Sequence, residues 1–241
     1  MKTNKISKLL VNNILYICLL LMIAAIAVAS PSFLSLRVLS DVMIQSAPKI
    51  LLAMGMLVVI IAGGMDMTVG RLAGLGAVLS GTFAQQATYY LKFWPSLPEL
   101  PIIVPILVSF IVGLVVGCAT GVIISKLKVP AFLAGLGMQQ ILYAGNLLLL
   151  RKEPNSSQPL AGFKPEFTAF GTGSVFGISY LIILAVVVMV LIFILLNMTT
   201  LGKNIYATGG NREAAKVAGI NVFKIDILLY FLKCHPSVAG E

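Results

Sequence analysis

The chain has 241 residues, of which 59% are hydrophobic and only 10% charged, and its formal net charge is +9. Soluble domains carry about 45–50% apolar and about 25% charged residues, so no sizeable soluble domain fits this composition. The basic residues sit at the ends of apolar runs, where they set topology, and nucleic-acid binding is not needed to explain them.

Apolar runs near the length of a bilayer crossing recur along the chain without the alternation of a membrane barrel. They predict an all-α, polytopic helical transmembrane bundle with about six complete spans and the start of a seventh. Lys2, Lys5 and Lys8 precede the first span, residues 9–29, and place the N-terminus in the cytoplasm. This run reads as an uncleaved helix. Residues 30–49 are mixed, and Phe33, Leu34, Leu36 and Leu39 suit a short helix lying at the interface. Residues 50–62 and 72–87 form the second and third spans, short pieces interrupted by glycines.

Residues 88–101, with Tyr89, Tyr90, Trp94 and three prolines, belong outside. The fourth span, 102–124, carries Gly113, Gly117 and Gly121 at four-residue spacing, a stripe for close helix contact. A short positive loop with Lys126 and Lys128 follows on the cytoplasmic side. Residues 131–150 are the fifth span, 151–179 an outer segment, and 180–196 the sixth span. A polar island at 200–221 then lies in the cytoplasm. Residues 223–232 begin another apolar run that breaks off in an atypical polar tail, 233–241, which reads as a truncation or frameshift scar after a transmembrane domain of residues 1–232.

Three features carry candidate chemistry. In the island, Asn211 caps a helix of about two turns, with Glu213 in its first turn and Gly219 as its stop. So short a helix needs support from flanking spans or a partner's groove. Ala214, Ala215 and Ala218 are placed on one side of it, for docking a partner or as an ordinary loop helix. Asp66 is the one acidic residue seen closely flanked by membrane segments, with Arg71 or the free N–H groups near Thr68 as partners. It reads either as a helix cap or as a group in gating or solute contact. Gln139, Gln140 and Asn146 offer amides to a neutral hydroxylated solute or to neighbouring helices. Cys18, Cys118 and Cys234 have no paired spacing, and the first two read as packing residues. No catalytic triad, metal motif or phosphate-binding loop is present in the sequence, and His235 stands alone.

Gly63-Gly64-Met65-Asp66-Met67-Thr68-Val69-Gly70 resembles the signature of the ribose, xylose and galactose-type permeases of bacterial ABC importers. The stretch from Gly202 to Ile220 resembles their cytoplasmic coupling segment, and Pro31-x-Phe33-Leu34-Ser35 and residues 129–138 also fit. The resemblance implies a homodimeric translocation subunit of the cell (inner) membrane. It would receive a monosaccharide from a periplasmic binding protein and be opened by a cytoplasmic ATP-binding subunit. Asn211, Arg212, Glu213, Ala214, Ala215, Lys216, Ala218 and Gly219 would contact that ATPase, and Asp66 and Thr68 would lie near the pathway with Gln139 and Gln140. This chain would bind no cofactor, ATP being used by the partner. An ion-coupled secondary transporter using Asp66, and a non-transporting remnant, are the alternatives.

Overall fold

A computed structural model of the chain describes residues 13–152, 158–175 and 177–239. It comprises two compact units, residues 1–45 and 46–241. In the first, α1 (Ile14–Ala29) buries none of its residues, as expected of a strongly apolar helix whose solvent is lipid. Cys18 on α1 is accordingly exposed rather than packed. A short 3-10 turn, Pro31–Leu34, leads into α2 (Leu36–Ile61).

The expected interfacial helix over 30–49 and short span over 50–62 are corrected by α2, which runs unbroken from Leu36 to Ile61 with Pro48 inside it. Proline removes one backbone donor and crowds the preceding turn, but one such interruption is tolerated in a long helix of a membrane bundle. The boundary between the two units falls within this helix.

The second unit contains α3 (Val69–Phe83), α4 (Ile103–Leu127), α5 (Ala131–Arg151), α6 (Pro165–Thr172), a two-stranded hairpin of β1 (Ser174–Val175) and β2 (Ile178–Ser179), α7 (Tyr180–Met198), α8 (Thr200–Gly210), α9 (Arg212–Val217) and α10 (Val222–Ala239). Four described helices, α2, α4, α5 and α7, are long and apolar enough to cross a membrane, and α1 and α3 are shorter apolar helices. Together these six occupy the places of the six expected spans.

The glycine stripe on α4 works as its spacing predicts. Gly113, Gly117 and Gly121 are all buried, and a Cβ on Gly121 would come within 3.2 Å of the Ile227 Cα on α10. The two backbones therefore pack closely there, and a side chain would require α10 to give by a few tenths of an ångström. α10 also differs from the expected interruption after Leu232, its helix continuing as far as Ala239.

At one end of this unit, residues 84–102 and 158–164 are tied together. Gln85 and Gln86 side chains donate to the carbonyls of Ala161 and Phe163 at 3.0 and 2.9 Å. Lys152 Nζ lies 3.8 Å above the Trp94 ring, a cation–π contact that pins α5 to the aromatic loop. At the opposite end, Val58, Ala62, Leu196, Ile205, Ile225 and Leu229 form a buried cluster beneath the polar island.

Candidate functional site

The signature loop is built by the end of α2 and the start of α3. Gly63 adopts φ 78°, a left-handed conformation that glycine takes without a Cβ clash, and turns the chain away from α2. Asp66 then folds back on the next helix: its Oδ1 accepts from the Thr68 backbone N–H and from the Thr68 hydroxyl, each at 2.8 Å. The free N–H groups at the start of α3 are thus an Asp66 partner, as the sequence suggested. Arg71 is not: its guanidinium stacks 4.7 Å above the Tyr143 ring of α5.

The charge partner of Asp66 is Lys233, whose ammonium donates to Asp66 Oδ2 and, at 2.7 Å, to Thr68 Oγ1. Asp66, Thr68 and Lys233 are 1%, 0% and 0% exposed. Gly135 on α5 closes the site, since a Cβ there would lie 3.2 Å from Asp66 Oδ1. A carboxylate and an ammonium so thoroughly withdrawn from water persist only as a mutually satisfied pair.

A second ion pair ties the island to α10. Asp226 Oδ2 accepts from Arg212 of α9 and, at 2.9 Å, from the Ser125 hydroxyl at the end of α4. Asp226 is buried, so Asp66 is not the only acidic group among the membrane segments. Asp226 and Lys233 stand seven residues apart on α10, two turns along one helix face. That spacing of opposite charges in an apolar run was a sequence signal for both residues, since ionisable groups in such runs have partners.

The island itself forms two helices. α8 was not anticipated; Thr199 caps it by accepting from the Gly202 N–H. Asn211 caps α9, its Oδ1 accepting from the Glu213 and Ala214 N–H groups, each at 3.0 Å, and Gly219 stops it with φ 83°. Both terminal signals were legible. The three alanines divide differently from the expectation: Ala215 is turned inward and buried, whereas Ala214 and Ala218 are exposed. The exposed surface of α9 presents Glu213, Lys216 and Val217, the last 90% exposed.

Lys216 lies 2.6 Å from the Glu213 carboxylate and holds its pKa below the ordinary value, by hydrogen bond first and charge second. A lowered carboxyl pKa adds stability that is complete above the unfolded value, about 4.5, and is lost as pH falls through the folded value. Amide exchange in α9 is therefore expected to accelerate on acidification over that window relative to exchange in Glu213→Gln. Equal acid responses in the two proteins would refute this.

Gln139 and Asn146, seven residues apart on α5, each hold a shielded amide oxygen without a hydrogen-bond partner among the described residues, while Gln140 is exposed. Asn146 faces α3, its amide nitrogen lying 3.5 Å from where a Cβ of Gly74 would stand. Among the described residues no group of His, Cys, Asp or Glu is arranged to hold a metal ion.

An apolar multi-helix assembly whose two buried carboxylates, Asp66 and Asp226, are each held in an ion pair defines a multi-pass membrane protein. Residues 38–234 match the family model described as branched-chain amino acid transport system / permease component, and the chain belongs to this family of transport permeases. It is 35% identical over 236 residues to the galactose/methyl galactoside import permease of Haemophilus influenzae, covering 96% of this chain and 70% of the relative. Identity to the galactose/methyl galactoside import permease of Escherichia coli is 36% over 222 residues, covering 90% and 66%. Identity to the ribose import permease of Escherichia coli is 30% over 219 residues, covering 90% and 63%. The chain thus spans roughly two thirds of the length of these relatives. No solved structure matches.

Proposed function

We propose that this chain is the translocation subunit of an ATP-driven importer of a monosaccharide, of the galactose/methyl galactoside type. The observation that carries the reading is the capped helix α9, which exposes Glu213, Lys216 and Val217 on the polar island, in a chain whose relatives are sugar import permeases. A cytoplasmic ATP-binding subunit grips this surface, hydrolyses the ATP, and moves the spans as rigid bodies to alternate access. A periplasmic binding protein delivers the sugar, and two copies of the chain form the pathway in the inner membrane with their N-termini in the cytoplasm. This chain binds no cofactor of its own. Gln139 and Asn146, with unspent amide oxygens, suit a hydroxylated solute better than Asp66 and Thr68, whose polar atoms are already engaged. The same engagement weighs against an ion-coupled transporter using Asp66 as its ion site.

The direct test is uptake of radiolabelled galactose into proteoliposomes containing the chain, its ATP-binding subunit and its binding protein. ATP-dependent uptake that survives collapse of ion gradients is expected; uptake that needs the gradient and ignores ATP would refute the proposal. Val217→Asp is expected to weaken association with the ATP-binding subunit by about tenfold or more, as for a central apolar contact residue. Unchanged co-purification of that subunit with the variant would remove α9 as the docking surface.

A further inference from the structure

We infer that α10 is the rod that transmits motion of the coupling helix to the signature loop, with Asp226 and Lys233 as its two grips. The inference rests on the transport reading above and adds a route to it. At one grip, the Asp226 carboxylate is held by Arg212, the first residue of α9, and by Ser125. At the other, Lys233 holds Asp66 and Thr68, the residues that start α3.

Between the grips α10 is stiffened by packing on both sides. Ile225 and Leu229 belong to the cluster beneath the island, and Tyr230 packs with Val59, Ile124 and Ala134. The Lys233 carbonyl lies 2.8 Å from where a Cβ of Gly55 would be, so α10 also runs in backbone contact with α2. A displacement of α9 pulls Asp226 through a charge-assisted contact, and a rigid helix carries it two turns to Lys233. Lys233 cannot lag, because separating it from Asp66 would strand two buried charges. The start of α3 therefore moves with the coupling helix. Lys233, Asp226 and Arg212 are positioning residues in this scheme and need not touch the sugar.

A direct contact supplies the competing route: α8 meets the end of α2, where Gly209 packs on the Ile61 and Ala62 backbone. The two routes are separable. Met67, which is half-exposed in the signature loop, is replaced by Cys in a chain whose native cysteines are Ala, and its maleimide-labelling rate is followed in nanodiscs with the ATP-binding subunit of the same importer. ATP is expected to change that rate in the parent. Asp226→Ala breaks the first grip without stranding a buried charge, because the Arg212 side chain left behind is 42% exposed and stays solvated. Asp66→Asn with Lys233→Met breaks the second without leaving a bare charge.

Each break is expected to reduce the ATP-dependent change about tenfold, within the usual range of coupling between sites. The combined variant should fall no further than the worse single break, because the grips act in series. Two local structural effects would instead multiply. Retained ATP response of the Met67→Cys label in both variants, or multiplied losses, would overturn the inference and leave α8 as the route. A parent that neither binds the ATP-binding subunit nor responds to ATP would overturn the transport reading itself, and the inference with it.

Discussion

Replacing Lys233 by Met is expected to destabilise the protein by about 3–5 kcal/mol, the cost of leaving one member of a buried ion pair without the other. The side chains of Lys233 and Asp66 are both fully buried. The Asp66 carboxylate would keep its two hydrogen bonds from Thr68 but lose its only described counter-charge. At 1% exposure the carboxylate is not solvated by bulk water, and hydrogen bonds from neutral donors compensate a buried charge only in part. The further change Asp66→Asn should restore much of the loss, because the amide is neutral and its oxygen can still accept from the Thr68 N–H. Denaturation of the purified protein in detergent, followed through Trp94, the single tryptophan in the chain, measures both variants. Parent-like stability of Lys233→Met would show that the buried pair does not exist in the folded protein.

Gly209→Ala is expected to cost about 3 kcal/mol, at the upper end of ordinary overpacking, whereas the same change one residue later should be harmless or favourable. A Cβ on Gly209 would lie 1.9 Å from the Ile61 carbonyl oxygen and 3.1 Å from the Ala62 Cα. These are backbone atoms at the end of α2, so no side chain can rotate away and the whole of α8 must lift. At Gly210 a Cβ meets nothing within 4 Å, and Ala there should add roughly 0.5–1 kcal/mol through its better helix propensity. The same denaturation assay compares the pair. Similar stabilities for the two variants would mean that α8 does not seat on the signature loop.

The spans were legible because lipid imposes a simple rule: a crossing helix must satisfy its own backbone and present apolar side chains over a fixed length. The break between α2 and α3 was visible in Gly63 and Gly64, and the limits of α9 in Asn211 and Gly219, since each depends on a residue whose preference is local. The length of α2 was misjudged at Pro48, where local propensity argued for a break and the surrounding membrane helix continued. α8 was missed for a related reason: Gly202, Gly209 and Gly210 are poor helix formers, but two of them are needed for close packing against Leu196 and Ile61.

The candidate site divides along the same line. Its class of residue was readable, because an aspartate beside membrane segments demands a partner, and the Thr68 N–H, two residues on, was within local reach. Its true counter-charge was not, because Lys233 lies 167 residues further on and is brought to Asp66 only by packing of α10 against α2 and α4. By itself the sequence determined a helical membrane bundle with a capped polar island, since burial in lipid, charge placement and capping act over one or two turns, and its motifs at 63–70 and 202–220 carried the resemblance to sugar permeases. The tertiary structure decided which charges pair, which face of α9 is left open, and how the island reaches the signature loop, since those depend on contacts between helices distant in sequence.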